Sequence, residues 1–496
     1  MIWTAIIGFL LLLLSLVLWT VPRHLYNFYR KCKAVRDIPG WPTHWLWGNL
    51  HQMRLDESFL NEWKDYITRN RYRITRAWIG PFLPRVVVHH CDLARKVLKE
   101  PKHENGYSLL KPWLGDGLLI SQGKKWFRNR RLLTPAFHYE ILKPYVEVYN
   151  SCLEIMLKKW TTSAKENEPV KLFEAVKLLS LDIVMRCVFS FESNCQQEGT
   201  KNHPYIQAVC DLIELTAARF VTLHHRVDWI YYLTANGRKY RRACKVAHDY
   251  SEMVIKERRK VLTENQVNVR GRKYLDFLDI LLTAADEDGN GLTDLEIRDE
   301  ADTFMFEGHD TTTSGMSWTL YCLAKYPEHQ EKIREEVRSV LMGRECLEYD
   351  DLKDLKYTQW CIKEAMRLYP PVFVIFREAS ADLELDGHII PQGMVIDVAI
   401  RMIHRNPDIW KNPDDYDPLR FHPNSVEGRD PFAYLPFSAG QRNCIGQNFA
   451  LNEEKLVIAS IVHRFKLSLV KDHKVEMCPK VVLRTTNDIL INLTPL

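Results

Sequence analysis

None of the twelve cysteines belongs to a Cys-x-x-Cys pair, which removes both a zinc ribbon and a dithiol redox motif. Their scatter along the chain fits reduced thiols in a cytosol-facing domain. No run of lysine and arginine interleaved with aromatics is present, and a net charge of +5 is mild for 496 residues, so no nucleic-acid partner is expected. A Gly-rich dinucleotide fingerprint is also missing, as is any flavin-domain signature. No low-complexity tract, internal repeat or long linker interrupts the chain, which favours one large domain with an ordinary apolar core.

Charge is absent from Met1 to Pro22, and residues 6–19 are almost wholly apolar. About 20 such residues suffice to cross a bilayer as one helix. A cleaved signal peptide would want a charged start and a small-residue cleavage site, and neither is evident. Arg23, Arg30, Lys31, Lys33 and Arg36 follow at once, and positive flanks stay cytosolic. The expectation is a transmembrane anchor over 1–22 and a basic, proline-rich linker over 23–45 that contains the stiff turn Ile38-Pro39-Gly40-Trp41-Pro42. A catalytic domain over 46–496 then lies on the cytosolic side.

Most of that domain shows helical spacing, while Asp386-Gly387 between two β-prone runs marks a hairpin. The fold class expected is mainly α with small β-sheets. The most specific stretch is Phe437-Ser438-Ala439-Gly440-Gln441-Arg442-Asn443-Cys444-Ile445-Gly446. Glycine lets backbone approach a large planar group closely, because it has no Cβ. Backbone N–H groups aimed at a metal-bound thiolate tune its basicity. Arg442 offers a cation for a carboxylate, and Phe437 an apolar cover. A buried cysteine in a glycine-rich turn is the bland alternative for an isolated Gly-x-Arg-x-Cys; the full ten-residue pattern is more specific than that.

Phe-x-x-Gly-x-Arg-x-Cys-x-Gly resembles the haem-binding loop of the cytochrome P450 superfamily, whose haem iron is held by a cysteine thiolate. The resemblance implies the cytochrome P450 fold preceded by one N-terminal transmembrane helix, haem b as cofactor, and Cys444 as axial ligand of the iron. It extends in order along nearly the whole chain, from the proline hinge at Ile38-Pro39-Gly40-Trp41-Pro42 and its continuation Leu46-Trp47-Gly48-Asn49-Leu50 to Cys444 and beyond. Trp126 and Arg130 share a helix face four residues apart. By resemblance they meet a haem propionate, with Arg377 and Arg442 as further cations; Asn129 stands where the family often has His. Lys124, Lys125, Arg128 and Arg131 around them would suit an acidic electron donor. Glu364-x-x-Arg367 resembles the superfamily's buried structural ion pair, completed by Arg420. The same spacing at Glu331/Arg334 and Glu335/Arg338 reads as surface pairing.

A second specific stretch is Phe306-Glu307-Gly308-His309-Asp310-Thr311-Thr312. Glu307, Asp310, Thr311 and Ser314 share one helical face. Thr311 can bond back to the carbonyl of residue 307 and open a groove, and Gly308 leaves room for a bound molecule. His309 reads as a satisfied core histidine. Asp310 and Thr311 match the superfamily's proton-delivery pair. The stretch is similar to family 4, whose members largely hydroxylate fatty acids at or near the terminal methyl, and whose glutamate at this place can be esterified to a haem methyl; Glu307 is the candidate here. Just upstream, Asp286-Glu287-Asp288-Gly289-Asn290-Gly291 imitates a calcium loop but has Ile297 where the closing glutamate belongs, so it reads as an acidic loop.

The reading is a membrane-bound haem-thiolate monooxygenase of the endoplasmic reticulum. It would use O₂ and electrons from NADPH–cytochrome P450 reductase, with cytochrome b5 as an additional partner, and a lipophilic substrate. Pocket walls are expected at 109–119, 304, 372–374 and 483–485. Xenobiotics, sterols or eicosanoids are the alternative substrates; a haem isomerase or dehydratase, and a non-catalytic haem sensor, are the alternative functions.

Overall fold

The computed structural model describes residues 2–102, 104–199, 203–264, 276–286 and 289–496, without the side chains of 2–5, 7–13, 17, 104 and 105. It is a mainly helical fold with small sheets, as the spacing suggested. Its axis is the 32-residue helix Asp294–Lys325. That helix starts at a capping box: Thr293 Oγ1 accepts from the Glu296 N–H, and Glu296 accepts in return from the Thr293 N–H at 2.9 Å. Asp294 and Glu296 in the first turn and Lys325 in the last suit the helix dipole.

Around this helix pack Leu172–Phe189, Lys356–Leu368 and Gln447–Arg464. At Gly308 the first of these approaches closely, since a Cβ there would lie 3.1 Å from Val184 Cγ2. Close helix approach therefore explains this mid-helix glycine at least as well as ligand space does. The main sheet sets Ile74–Ile79, Leu83–Val88, Val395–Val398 and Ile375–Glu378 side by side; only the middle pair is parallel. The Asp-Gly hairpin forms between Leu383–Leu385 and His388–Ile390, with Asp386 at φ 53° and Gly387 at φ 79°. Both turn residues adopt the left-handed region that such two-residue hairpins require.

The N-terminal helix runs from Ile2 through Pro22 to Val35, so the first part of the stretch expected as linker is helical. Its end docks on the domain: Arg30 pairs with Asp382 at 2.7 Å, Lys31 Nζ donates to the Gly393 carbonyl, and Val35 is buried. Among the described residues no helix is long and apolar enough to cross a membrane.

Candidate active site

An internal cavity of about 480 Å³ lies between the central helix, the cysteine loop and the main sheet. The loop before helix Gln447–Arg464 brings Cys444 to its wall. Ser438 and Gly440 take φ of 59° and 75°, which fold the chain back so that the Cys444 N–H donates to the Phe437 carbonyl at 3.0 Å. A Cβ on Gly440 would sit 3.2 Å from the Leu98 carbonyl oxygen. Cys444 is surrounded by protein and yet presents open surface, because the surface it presents is the cavity's. Its thiol is pushed up to about 11, first by burial and then by the Glu307 carboxylate; the Gly446 N–H, Arg130 and Lys102 oppose this. The start of helix Gln447–Arg464, three residues on, adds its positive end beside the sulfur.

The sequence-predicted cations converge here. Arg130, Arg377 and Arg442 all line the cavity with Trp126 and Phe437. Arg442 stacks over the Trp126 ring at 3.9 Å and donates to the Ser121 carbonyl at 2.9 Å. Arg130 donates to the carbonyl and side-chain oxygens of Asn443 at 3.0 and 3.1 Å. Arg377 is buried, and its Nε has no partner among the described groups. Burial lowers all three, Arg442 to about 10. Among the described residues no carboxylate lies in ion-pair reach of any of them. Three uncompensated guanidiniums beside an enclosed thiol are the donor set that an iron porphyrin with two propionates would satisfy, so the residues fit haem. Lys102, which the sequence gave no reason to single out, joins them. It lines the same wall and donates to the Leu119 carbonyl at 2.7 Å. Burial lowers its pKa, with Glu307 opposing, while burial raises that of Glu307, with Lys102 opposing.

The polar stripe of the central helix divides. Glu307 and Thr311 line the cavity, and Thr311 Oγ1 donates to the Glu307 carbonyl at 2.7 Å, the back-bond the sequence suggested. Asp310 instead pairs with Arg484, and Ser314 Oγ donates to the Leu483 carbonyl at 2.6 Å. At about 100° per residue, 310 lies about 60° from 307 on the flank of the stripe, whereas 314 is only about 20° from 307 but two turns further along the axis, where strand Leu483–Thr485 passes. That strand is therefore occupied by the helix, and the cavity wall comes from 479–482 rather than 483–485. The other expected walls hold at Leu110, Leu118, Leu119, Phe304 and 372–374. His309 is buried and lowered to about 4 by burial, but it is only half satisfied: Nδ1 meets the Met305 carbonyl, while Nε2 has no partner among the described groups.

Behind the cavity Glu364 and Arg367 pair at 2.7 Å with neither side chain exposed, and Arg420 reaches Glu364 at 3.2 Å. The expectation of surface pairs fails at Arg334, which is buried and donates to the Val462 carbonyl as well as pairing with Glu331. The basic helix Gly123–Leu133 is less free than expected too. Lys125 pairs with Asp116 at 2.9 Å, and Arg128 holds Asp286 at 3.0 Å, Glu296 at 3.2 Å and the Gly291 carbonyl at 2.8 Å. Asp286 is thus engaged by arginine and by the Asn290 N–H; Glu287 and Asp288 of the acidic loop lie outside the described residues.

Comparison with known proteins agrees with this geometry. The Cytochrome P450 family model matches residues 38–493. A Homo sapiens protein named ultra-long-chain fatty acid omega-hydroxylase is 46% identical over 95% of this chain and 90% of its own. Leukotriene-B4 omega-hydroxylase 3 of Mus musculus is 42% identical over 96% of this chain and 94% of its own. The crystal structure of the cytochrome P450DA heme domain superposes with a TM-score of 0.80 at 24% identity, covering 92% of this chain and 98% of that one. With its cysteine loop, its cation-lined cavity and a match along almost its whole length, the chain belongs to the cytochrome P450 family and is a haem-dependent monooxygenase.

Proposed function

We propose that this enzyme hydroxylates fatty acids or related lipids at the terminal or near-terminal carbon. The observation that carries the reading is the cavity at the cysteine: Cys444 and Thr311 border it, and its remaining wall is largely apolar, including Leu110, Leu118, Phe304, Val372 and Phe373. A volume of about 480 Å³ falls within the ~300–1,000 Å³ usual for small-molecule sites. The names of the human and mouse relatives point to the same chemistry.

Bound at Cys444, haem supplies O₂ activation; electrons come from a reductase, with NADPH–cytochrome P450 reductase and cytochrome b5 as the partners proposed. The protein's own residues do the rest. Arg130, Arg377, Arg442 and Lys102 would neutralise the propionates, while Trp126 and Phe437 would exclude water. Thr311 Oγ1 passes protons into the cavity after leaving the Glu307 carbonyl, and Asp310, whose Oδ2 has no partner among the described groups, resupplies it. Glu307 lines the cavity, and its carboxylate would form an ester with a haem methyl in a two-electron oxidation that breaks a methyl C–H bond and consumes O₂ and reductase-supplied electrons; such a bond would stiffen the cofactor and favour the primary carbon. Acid denaturation and extraction tests this: haem that stays with the wild-type chain and leaves a Glu307→Ala variant supports the ester, and complete release from both removes it. The uncharged stretch before Arg23 anchors the enzyme in the endoplasmic reticulum membrane with the domain in the cytosol.

The test of the function is turnover of a chain-length panel of fatty acids with reductase and NADPH, reading product position by mass spectrometry. Terminal hydroxylation is expected. Oxidation confined to sterols or xenobiotics, with every fatty acid returned unchanged, refutes the reading.

A further inference from the structure

A second group of charges on the cavity wall takes no part at the cysteine. Arg85 on strand Leu83–Val88 and Asp397 on strand Val395–Val398 pair at 3.0 Å, and both are nearly buried. Arg226, at the end of the turn Leu223–Arg226, lines the same cavity. Its Nη1 donates to the Phe220 carbonyl at 3.1 Å, and among the described residues no carboxylate lies within ion-pair reach of it. The other arginines nearby are committed. Arg219 pairs with Asp228 and stacks on Tyr231 at 4.2 Å; Arg54 pairs with Glu62 at 2.7 Å; Arg76 Nη1 donates to the carbonyls of Arg36 and Ile38, each at 2.8 Å.

Asp397, the one carboxylate of this group, is thus taken by Arg85, and the positive charge of Arg226 is left over at the cavity wall. A guanidinium has five N–H donors, and leaving most of them unused in a half-buried place is costly. Burial, then repulsion from Arg85 and Arg219, lowers Arg226 to about 10 against the pull of Asp397. Among the described residues no hydrogen bond or ion pair links the side chains of Arg85, Arg226 or Asp397 to Glu307, Arg130, Lys102 or Cys444, so the cavity wall carries two separate charged groups, a pole at the cysteine and a pole at Arg226. The aromatic rings beside this pole, Phe220 and Phe376, lie 6.2 Å apart, with Arg85 4.9 Å from the second.

We propose that Arg226 is the head-group anchor of this enzyme, its guanidinium binding the carboxylate of a long-chain acid whose tail extends along the apolar wall to Cys444 and Thr311. This rests on the fatty-acid reading above. It adds that the enzyme selects for the anionic head and measures the chain from it, so that regiochemistry is set from Arg226 as well as from the haem pole.

The test compares a saturated long-chain acid with its methyl ester on full-length wild type, Arg226→Gln and Arg226→Lys. Loading is checked by the carbon monoxide spectrum, affinity is read by spectral titration, and products by mass spectrometry. Wild type should prefer the acid. Arg226→Gln should lose about 10- to 100-fold in affinity for the acid and change little for the ester, while Arg226→Lys keeps most of the preference. An Arg226→Gln variant with an unchanged acid-to-ester ratio overturns the anchor. So does a wild type that takes both alike, although lipid hydroxylation then stands. If Arg226→Gln fails to load haem, the Lys variant decides: loss of the acid preference on keeping the charge overturns the proposal. A wild type that neither binds nor oxidises either ligand removes the substrate reading and the anchor with it.

Discussion

Replacing Arg367 with alanine should cost this enzyme most of its loaded form. All five N–H groups of that guanidinium are used: two on the Glu364 carboxylate at 2.7 Å each, and three on the carbonyls of His404, Pro413 and Asp415 at 2.9, 2.6 and 2.9 Å. Truncation leaves Glu364 with only the Asp417 N–H at 2.9 Å and Arg420 at 3.2 Å, inside a core from which water is excluded. Breaking a buried pair from one side costs about 3–5 kcal/mol. Against a total of ~5–15 kcal/mol for a folded domain, that is a large fraction. Arg420→Ala, which removes the 3.2 Å contact to Glu364 and an exposed 2.9 Å bond to the Asn412 carbonyl from a 12% exposed side chain, should cost only about 1–2 kcal/mol. Removing both charges together, as Glu364→Met with Arg367→Met, should be less harmful than Arg367→Ala alone, because no fully buried ion is then left unpaired: Arg420 loses Glu364 but is 12% exposed and keeps the Asn412 carbonyl at 2.9 Å. The measurement is urea unfolding followed by tryptophan fluorescence, with haem loading from the carbon monoxide spectrum. Normal loading in Arg367→Ala, or a midpoint no lower than that of Arg420→Ala, refutes the reasoning.

Asp310→Asn should lose stability as well as activity, because it strands Arg484, whose side chain is only 13% exposed; adding Arg484→Gln should restore the melting temperature but not turnover, and restoration of both would deny Asp310 any proton-handling part. His404 accepts the Leu435 N–H at 2.7 Å, and burial, with Arg367 next, lowers it from 6.5 to about 3. Between those values the unfolded chain binds a proton that the folded chain refuses, so stability falls as pH falls; from pH 6.5 to 5 the loss is about 2 kcal/mol. His404→Gln, which keeps an acceptor and takes no proton, should flatten the dependence by that amount, and identical pH profiles of the urea midpoint would contradict it. Gly440→Ala places a Cβ at φ 75° and 3.2 Å from a carbonyl oxygen, a strain of about 1–2 kcal/mol that should lower haem loading; an unaffected carbon monoxide spectrum would argue against a rigid cysteine loop.

Local pattern explains what could be read from the chain alone. The cysteine loop packs its thiol, cation and turn-forming glycine into ten contiguous residues, and the Glu364–Arg367 pair lies within one helical turn, so spacing fixed their geometry. The division of the Glu307 stripe could not be read that way. Its flank is set by Arg484, which arrives from a strand more than 170 residues later, and helical arithmetic alone places 307 and 310 only about 60° apart. Lys102 and Arg226 sit in short irregular segments with no period to mark them, and only the closure of the fold brings them to the cavity. Gly308 was legible as an exception to helix propensity, but its neighbour Val184 belongs to another helix.

The clamp on the basic helix bears on how electrons reach this enzyme. Cations already neutralised by Asp116, Asp286 and Glu296 contribute little to the field a few ångströms out, where an approaching protein is steered. Lys125 and Arg128 therefore serve to lock the helix bearing Trp126 and Arg130 to the start of the central helix. A donor landing on this face would feel fewer charges than the sequence displays there. Its association rate should then fall only gently as salt is raised, while the grip between the two helices keeps the surface it meets from shifting beneath it.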